Sequence, residues 1–138
     1  FVPSYINYSN FLVQQGENKK AFDILQKGLD NVPNMAIFYH ALGLWYVRNK
    51  EPKKAILELK KSVELDKDNA RFSYVYAVSI GEENPKEAIK VLEESYPKHT
   101  GDMQIVSGLV YYTKQVGDTA KSEMYEKKLN ALQNFSVR

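Results

Sequence analysis

The sequence contains no cysteine among its 138 residues. Disulfide bonds, thiol nucleophiles and thiolate metal sites are therefore excluded, and packing must supply the stability. Histidine is almost as scarce, because only His40 and His99 are present and they lie in separate parts of the chain. Two distant histidines predict neither a shared metal site nor a catalytic triad. We expect no cofactor and no bound metal.

An excess of charge of one sign and long apolar runs are also missing. Nineteen basic residues against seventeen acidic ones give a net charge of +2, spread along the chain. This balance offers no electrostatic surface for nucleic acid. No run approaches the ~18 apolar residues of a membrane-spanning helix, and no signal sequence opens the chain. We expect a soluble protein, in either the cytoplasm or the periplasm, that neither binds nucleic acid nor inserts into a membrane. Since the chain starts at Phe1, we also expect it to be a part of a longer protein.

Groups for catalysis do not occur together in the sequence. The carboxylate pairs at 82–83 and 93–94 fall at a turn and on an outward helix face, where acid–base chemistry lacks a dry pocket. Gly101 and Gly117 are isolated turn glycines and form no phosphate-binding loop. Since no nucleophile, base and orienting group are combined, the sequence predicts that the protein is not an enzyme.

What the sequence does contain is a repeat. Residues 35–69 have the pattern of two amphipathic helices joined by a tight turn. A shift of 34 positions aligns similar residues along the chain: Tyr5 with Tyr39, Ala21 with Ala55, Leu25 with Leu59, and Leu29 with Val63. A fixed period of this length is typical of stacked helical hairpins.

The repeat predicts eight helices in a single domain, 1–138, with four units at about 2–35, 36–69, 70–102 and 103–133. Apolar residues at three- and four-residue spacing define the expected inner faces. In the first helix this face includes Tyr5, Tyr8, Phe11 and Leu12; in the seventh it includes Ile105, Gly108, Leu109 and Tyr112. Charged residues occupy the outer side of the last helix, as expected where nothing stacks on it.

These residues resemble the tetratricopeptide repeat family, whose unit is a helix-turn-helix of ~34 residues. The second unit carries the resemblance best, through Tyr39, Leu42, Gly43, Tyr46, Ala55 and Leu59. The first carries it through Tyr5, Gly16, Ala21, Leu25 and Pro33, while the third and fourth are degenerate. The resemblance implies an all-α, right-handed α-α superhelix (solenoid) of four such units, with a concave groove lined by the first helix of each.

By analogy with the family, ten residues are the principal candidates for the peptide groove: Asn7, Asn10, His40, Leu44, Arg48, Arg71, Tyr74, Val78, Tyr111 and Lys114. Ile6, Val47, Val75 and Ser107 have similar positions. Some family members bind a C-terminal carboxylate with Lys, Asn and Arg. Here Ile6 replaces the first lysine and Ala41 an asparagine of that clamp. For Arg48 and Arg71, a salt bridge or plain solvation is the alternative interpretation.

Two functions remain open from the sequence. The first is a non-enzymatic protein–protein interaction scaffold that binds a peptide or a neighbouring domain in the groove. The second is a structural spacer or a self-association module, such as a homodimer, within a larger bacterial envelope or multihaem cytochrome-type protein. Residues 69–78 have a local likeness to such repeats. The lysines of the fourth helix predict a solvated face or a patch for an acidic partner.

Overall fold

A computed structural model describes residues 2–137, and side chains as far as Phe135. The described residues form α-helices, turns and one short 3-10 helix, without a strand. The helices are α1 (Val2–Gln14), α2 (Asn18–Asn31), α3 (Ala36–Arg48), α4 (Pro52–Leu65), α5 (Ala70–Gly81), α6 (Pro85–Ser95), α7 (Met103–Gln115) and α8 (Thr119–Val137), with the 3-10 helix at Tyr96–Lys98. The predicted all-α class and the eight helices in helix-turn-helix pairs are confirmed.

The chain divides into two compact units. The first ends at Asp66 and contains α1 to α4, and the second begins at Lys67 and contains α5 to α8. Each unit thus holds two helical hairpins. The last helix ends at Val137, past Gln133, where we expected the fourth hairpin to finish.

Local sequence signals explain where several helices begin. Pro52 and Pro85 occupy the first turn of α4 and α6, where the missing N–H costs no helical hydrogen bond. Side chains of Asn69, Asn84 and Asp102 accept hydrogen bonds from backbone N–H groups three residues later, at 3.0, 3.1 and 3.0 Å. Each such cap stabilises its helix by about 1 kcal/mol.

Three hairpin turns use the same backbone conformation. Gly16 and Gly117 both have φ of 77°, and Lys50 has φ of 59° at the equivalent place in the second hairpin. Glycine adopts this left-handed conformation freely, whereas a residue with a Cβ pays about 1–2 kcal/mol. Lys50 therefore carries local strain that the two glycines avoid. The turn of the third hairpin, at residues 82–84, has no positive φ.

In the core of the first unit, large apolar side chains pack closely against glycine residues of neighbouring helices. Leu25, Phe38 and Leu42 cluster between α2 and α3, and the Phe38 ring lies against the backbone of Gly28. Within the second hairpin, Leu59 packs directly over Gly43. Phe38 is completely buried, although it was absent from the predicted apolar faces.

The second unit has a larger core and a polar link between α6 and α8. Buried apolar side chains of all four helices meet in one cluster, with Leu92, Ile105 and Leu109 at its centre. At its edge, the Tyr125 hydroxyl donates to Glu93 Oε2 at 2.7 Å, and Lys121 Nζ donates to both Glu93 oxygens at 3.1 and 3.0 Å. Burial, the hydrogen bond to Glu93 and its charge raise the pKa of Tyr125, so this phenol stays protonated.

Two predicted faces differ from the structure. Tyr8 and Phe11 are exposed, because α2 packs against the side of α1 that carries Ser9 and Leu12, and the Ser9 hydroxyl donates to Ala21 O at 3.1 Å. The prediction that Tyr8 and Phe11 belong to the inner face was wrong. In α7 burial extends over more than one stripe, and the prediction missed Val106, Val110 and Thr113.

Candidate functional site

In the first unit the candidate groove residues differ in accessibility. Asn7 and Asn10 on α1 and Arg48 on α3 are exposed, and Leu44 is half-buried. Arg48 forms no ion pair with any described residue. His40 is 6% exposed, so it has little surface to offer a partner.

In the second unit the structure brings four of the candidate positions together. Tyr74 and Val78 lie one turn apart on α5, and Ser107 and Tyr111 lie one turn apart on α7. The two helices pack side by side, and these residues line a cavity of about 230 Å³ with Gly108 and Tyr112. Val78 and Tyr111 are 45% and 58% exposed, so the cavity opens to solvent.

Because Gly108 has no side chain, neighbouring side chains pack tightly against α7 in the wall of this cavity. A Cβ at this position would lie 2.9 Å from Leu92 Cδ1 and 3.5 Å from Tyr74 Cε1. The absence of a side chain therefore allows the Tyr74 ring and the core leucine to approach the α7 backbone. The rings of Tyr111 and Tyr112 meet edge to face at 5.0 Å between centroids, which fixes the opposite wall.

Charged residues flank the cavity along both helices. One turn before Tyr74, the Arg71 guanidinium donates to the Gln104 side-chain oxygen on α7 at 3.3 Å. Arg71 has no carboxylate partner among the described residues. At the other end, Lys114 is paired with Glu126 of α8 at 3.1 Å. Within the described residues, the face thus has a positive charge without a carboxylate partner at its Arg71 end.

The Tyr112 phenol of the cavity acts as a neutral group. Burial, with smaller effects of Tyr74, Tyr111 and Glu82, raises the pKa of Tyr112. Its hydroxyl therefore stays protonated near neutral pH and can donate a hydrogen bond. The cavity lining contains no acidic or imidazole side chain, and the Ser107 hydroxyl is engaged by the Gln104 carbonyl at 3.2 Å. The lining therefore supplies no base to activate Ser107.

The cavity is small for a cofactor. Sites for drug-sized ligands usually measure about 300–1,000 Å³, and 230 Å³ suits a single bulky side chain better. A second depression, of about 320 Å³, is formed by the consecutive residues 51–54 at the start of α4 and has no second element to enclose it. Within the described side chains no group of His, Asp and Glu could hold a metal ion.

Sequence reasoning missed three participants in this face. Tyr112 was assigned to the core, and it is buried, but its ring edge also lines the cavity. Gly108 was counted only as a small inner residue. Gln104 was not considered, although its position three residues before Ser107 places it on the same side of α7. That spacing was the available signal.

A comparison with known families matches residues 36–69, the second hairpin, to the tetratricopeptide repeat. This hairpin is a tetratricopeptide repeat. The resemblance that the sequence suggested is thereby confirmed at the unit where it was strongest. The matched repeat begins with α3 and ends just after α4.

Solved structures share the fold over almost the whole chain. A MamA structure designated MSR-1 covers 99% of this chain and 79% of its own, with a TM-score of 0.77 and 20% identity. MamA from Desulfovibrio magneticus RS-1 covers 94% and 74%, with a TM-score of 0.79 and 18% identity. PilF of Pseudomonas aeruginosa covers 96% and 61%, with a TM-score of 0.81 and 25% identity. The hairpins around the tetratricopeptide repeat therefore adopt the same fold as these proteins.

No match was found among curated protein sequences. Within the described residues, no helix is both long enough and apolar enough to cross a membrane. A fold built around a tetratricopeptide repeat supports, in general terms, a scaffold for protein–protein interaction.

Proposed function

We propose that the protein is a non-enzymatic scaffold that binds a polypeptide segment on the α5–α7 face, with one bulky apolar side chain of the partner in the cavity beside Tyr74 and Tyr111. The observation that carries this proposal is the cavity itself, because it is open, aromatic and the size of a side chain. Exposed aromatic walls that surround a small pocket are typical of binding hot spots.

The charge at the end of the cavity indicates the second feature of the partner. Arg71 keeps its positive charge uncompensated within the described residues and lies one turn from Tyr74. A guanidinium can bind a carboxylate through two parallel hydrogen bonds. An acidic group close to the apolar anchor of the partner would therefore be recognised by Arg71. In the first unit, Asn7, Asn10, Leu44 and Arg48 are accessible to a partner, whereas His40 offers little surface.

A random peptide library displayed on phage tests the proposal without knowledge of the natural partner. We expect selected peptides to combine a bulky apolar residue with a nearby Asp or Glu. Tyr111→Ala should weaken their binding at least about tenfold, as expected for truncation of an aromatic hot spot. Arg71→Gln should weaken it and reduce its dependence on salt.

Matched controls lie on outer faces of the helices. Leu57→Ala removes an apolar side chain that is 68% exposed on α4, and Lys90→Gln removes an exposed positive charge on α6. Both should leave peptide affinity unchanged. A library without binders, or peptides whose affinity is insensitive to Tyr111→Ala and Arg71→Gln, would reject the site. Light scattering addresses the alternative function, since a spacer or self-association module should form concentration-dependent dimers that the scaffold does not need.

A further inference from the structure

The cavity on the α5–α7 face lies between two positively charged side chains. On α7, Ser107 and Tyr111 of the lining lie midway between Gln104 and Lys114. The Arg71 guanidinium of α5 donates to Gln104, so it marks one end of the face, and Lys114 marks the other. At a rise of 1.5 Å per residue, each end lies about 7–8 Å from the middle of the cavity along the helix.

The two helices run in the same direction. Arg71 contacts Gln104 near the start of both helices, and the Tyr112 ring lies against Gly81 near their ends. A polypeptide segment that runs along these helices therefore passes both charged side chains. An extended segment advances about 3.3 Å per residue, so a carboxylate about two residues from the apolar anchor would reach Arg71 on one flank or Lys114 on the other.

At the Lys114 end, the positive charge is already matched within the fourth hairpin. Glu126 of α8 places its Oε1 3.1 Å from Lys114 Nζ. An incoming carboxylate would have to compete with Glu126 for the ammonium group and would be repelled by it. Glu82, which directly follows α5, adds a second exposed carboxylate at this end.

At the Arg71 end, the acidic residues of the adjoining loops are engaged elsewhere. Asp68 pairs with Lys98 at 3.0 Å, and Asp102 accepts a hydrogen bond from the backbone N–H of Ile105 at 3.0 Å as the cap of α7. The guanidinium contacts only the neutral Gln104 side chain among the contacts that the described residues provide. The two ends of the face thus differ in charge although they lie at similar distances from the cavity.

We propose that Glu126 is a specificity-determining residue of this face, because by neutralising Lys114 it restricts the partner to a single acidic flank, the one next to Arg71. The inference rests on the proposed binding of a polypeptide segment on the α5–α7 face. Glu126 acts through Lys114 and does not touch the apolar anchor. The Lys114–Glu126 side chains are 54% and 45% exposed, so the pair contributes little to stability. Its effect falls on the choice of partner.

Two synthetic peptides test the role of Glu126. The first is a peptide selected from the library, with a bulky apolar residue and one acidic flank. The second has an additional Glu two residues from the apolar residue on the opposite flank. We expect the additional Glu to leave binding to the parent protein no stronger. In Glu126→Gln it should strengthen binding about two- to fivefold, which is the range for an exposed charge pair.

Two control variants separate this effect from a general change of charge or structure. Lys114→Gln in the Glu126→Gln background should abolish the gain, because Lys114 is its source. Glu123→Gln changes the net charge equally at an exposed position of α8 that has no ion pair among the described residues. It should leave the affinity ratio of the two peptides as in the parent. Because the readout is a ratio measured on one protein, a partial loss of folded protein does not alter it.

The outcomes separate the inference from the proposed function. If Tyr111→Ala weakens both peptides but the affinity ratio is the same in the parent and in Glu126→Gln, the site stands and the role of Glu126 is overturned. A gain in Glu126→Gln that persists without the Lys114 charge would overturn it as well. Peptides whose binding is insensitive to Tyr111→Ala would reject the site itself, and the inference with it.

Discussion

The packing of Leu59 over Gly43 provides a quantitative test of the first unit. In Gly43→Ala the new Cβ would lie 2.5 Å from both Cγ and Cδ2 of Leu59 and 3.3 Å from its backbone nitrogen. Leu59 is completely buried, so its side chain cannot swing into solvent. Overpacking of this kind costs typically about 1–3 kcal/mol. Alanine returns at most about 1 kcal/mol through its better helix propensity.

The expected net effect is a loss of about 1–2 kcal/mol in the free energy of unfolding, from these two contributions. Urea denaturation followed by tryptophan fluorescence is the appropriate assay, because Trp45 is the only tryptophan and lies in the first unit. With a urea dependence of about 1–3 kcal/mol/M, the midpoint should fall by roughly 0.5–1 M.

A double-mutant cycle isolates the contact itself. Leu59→Ala removes Cγ and Cδ2 and should cost about 2–5 kcal/mol alone. In that background, Gly43→Ala should become neutral or slightly stabilising, which gives a coupling free energy of about 1–3 kcal/mol. Additive effects of the two substitutions, or an unchanged midpoint for Gly43→Ala, would refute the close packing as the reason for glycine at this position.

Two further predictions concern strain and pH. Lys50→Gly should raise the free energy of unfolding by about 1 kcal/mol, because glycine adopts a φ of 59° without strain. Gly16→Lys should lower the free energy of unfolding for the converse reason. Equal urea midpoints for Lys50→Gly and the parent protein would contradict the strain at Lys50. Burial raises the pKa of Glu58 above its usual 4.5. The folded state therefore binds this proton more tightly than the unfolded state, and stability should fall as the pH rises through and above 4.5. In Glu58→Gln the decrease of stability with rising pH should disappear, so the variant should be more stable than the parent at neutral pH but not at acidic pH. Parallel pH profiles of the melting temperatures of the two proteins would exclude the effect.

The helices were predictable because their signals are local. Pro52 and Pro85 at helix starts and glycine at the turns each act within a few residues, and the 34-residue period repeats such local patterns along the chain. The exposure of Tyr8 and Phe11 was not predictable in this way. An apolar stripe shows which side of a helix avoids water, but whether a neighbour covers that side depends on how the helices pack against one another. Burial of Val106 and Val110 likewise depends on several helices packing around α7.

The candidate site was predictable in part. The family resemblance predicted that the first helix of each hairpin lines the groove. Together with residue spacing, it selected Tyr74 and Val78 on α5 and Ser107 and Tyr111 on α7. The cavity between them depends on Gly108 allowing Tyr74 and Leu92 to approach, which is a property of packing between helices. That Arg71 has no carboxylate partner among the residues the structure describes could not be read from sequence either, since acidic residues occur throughout the chain.

Binding on the α5–α7 face is tested most directly by amide chemical-shift mapping. The labelled protein would be titrated with a peptide selected from the random library, and the perturbed residues would be located on the structure. The expected result is that the largest shifts fall on Tyr74, Val78, Ser107 and Tyr111, with smaller changes at Arg71. Shifts concentrated on the outer face of α4 around Leu57, with α5 and α7 unperturbed, would contradict the proposed binding site.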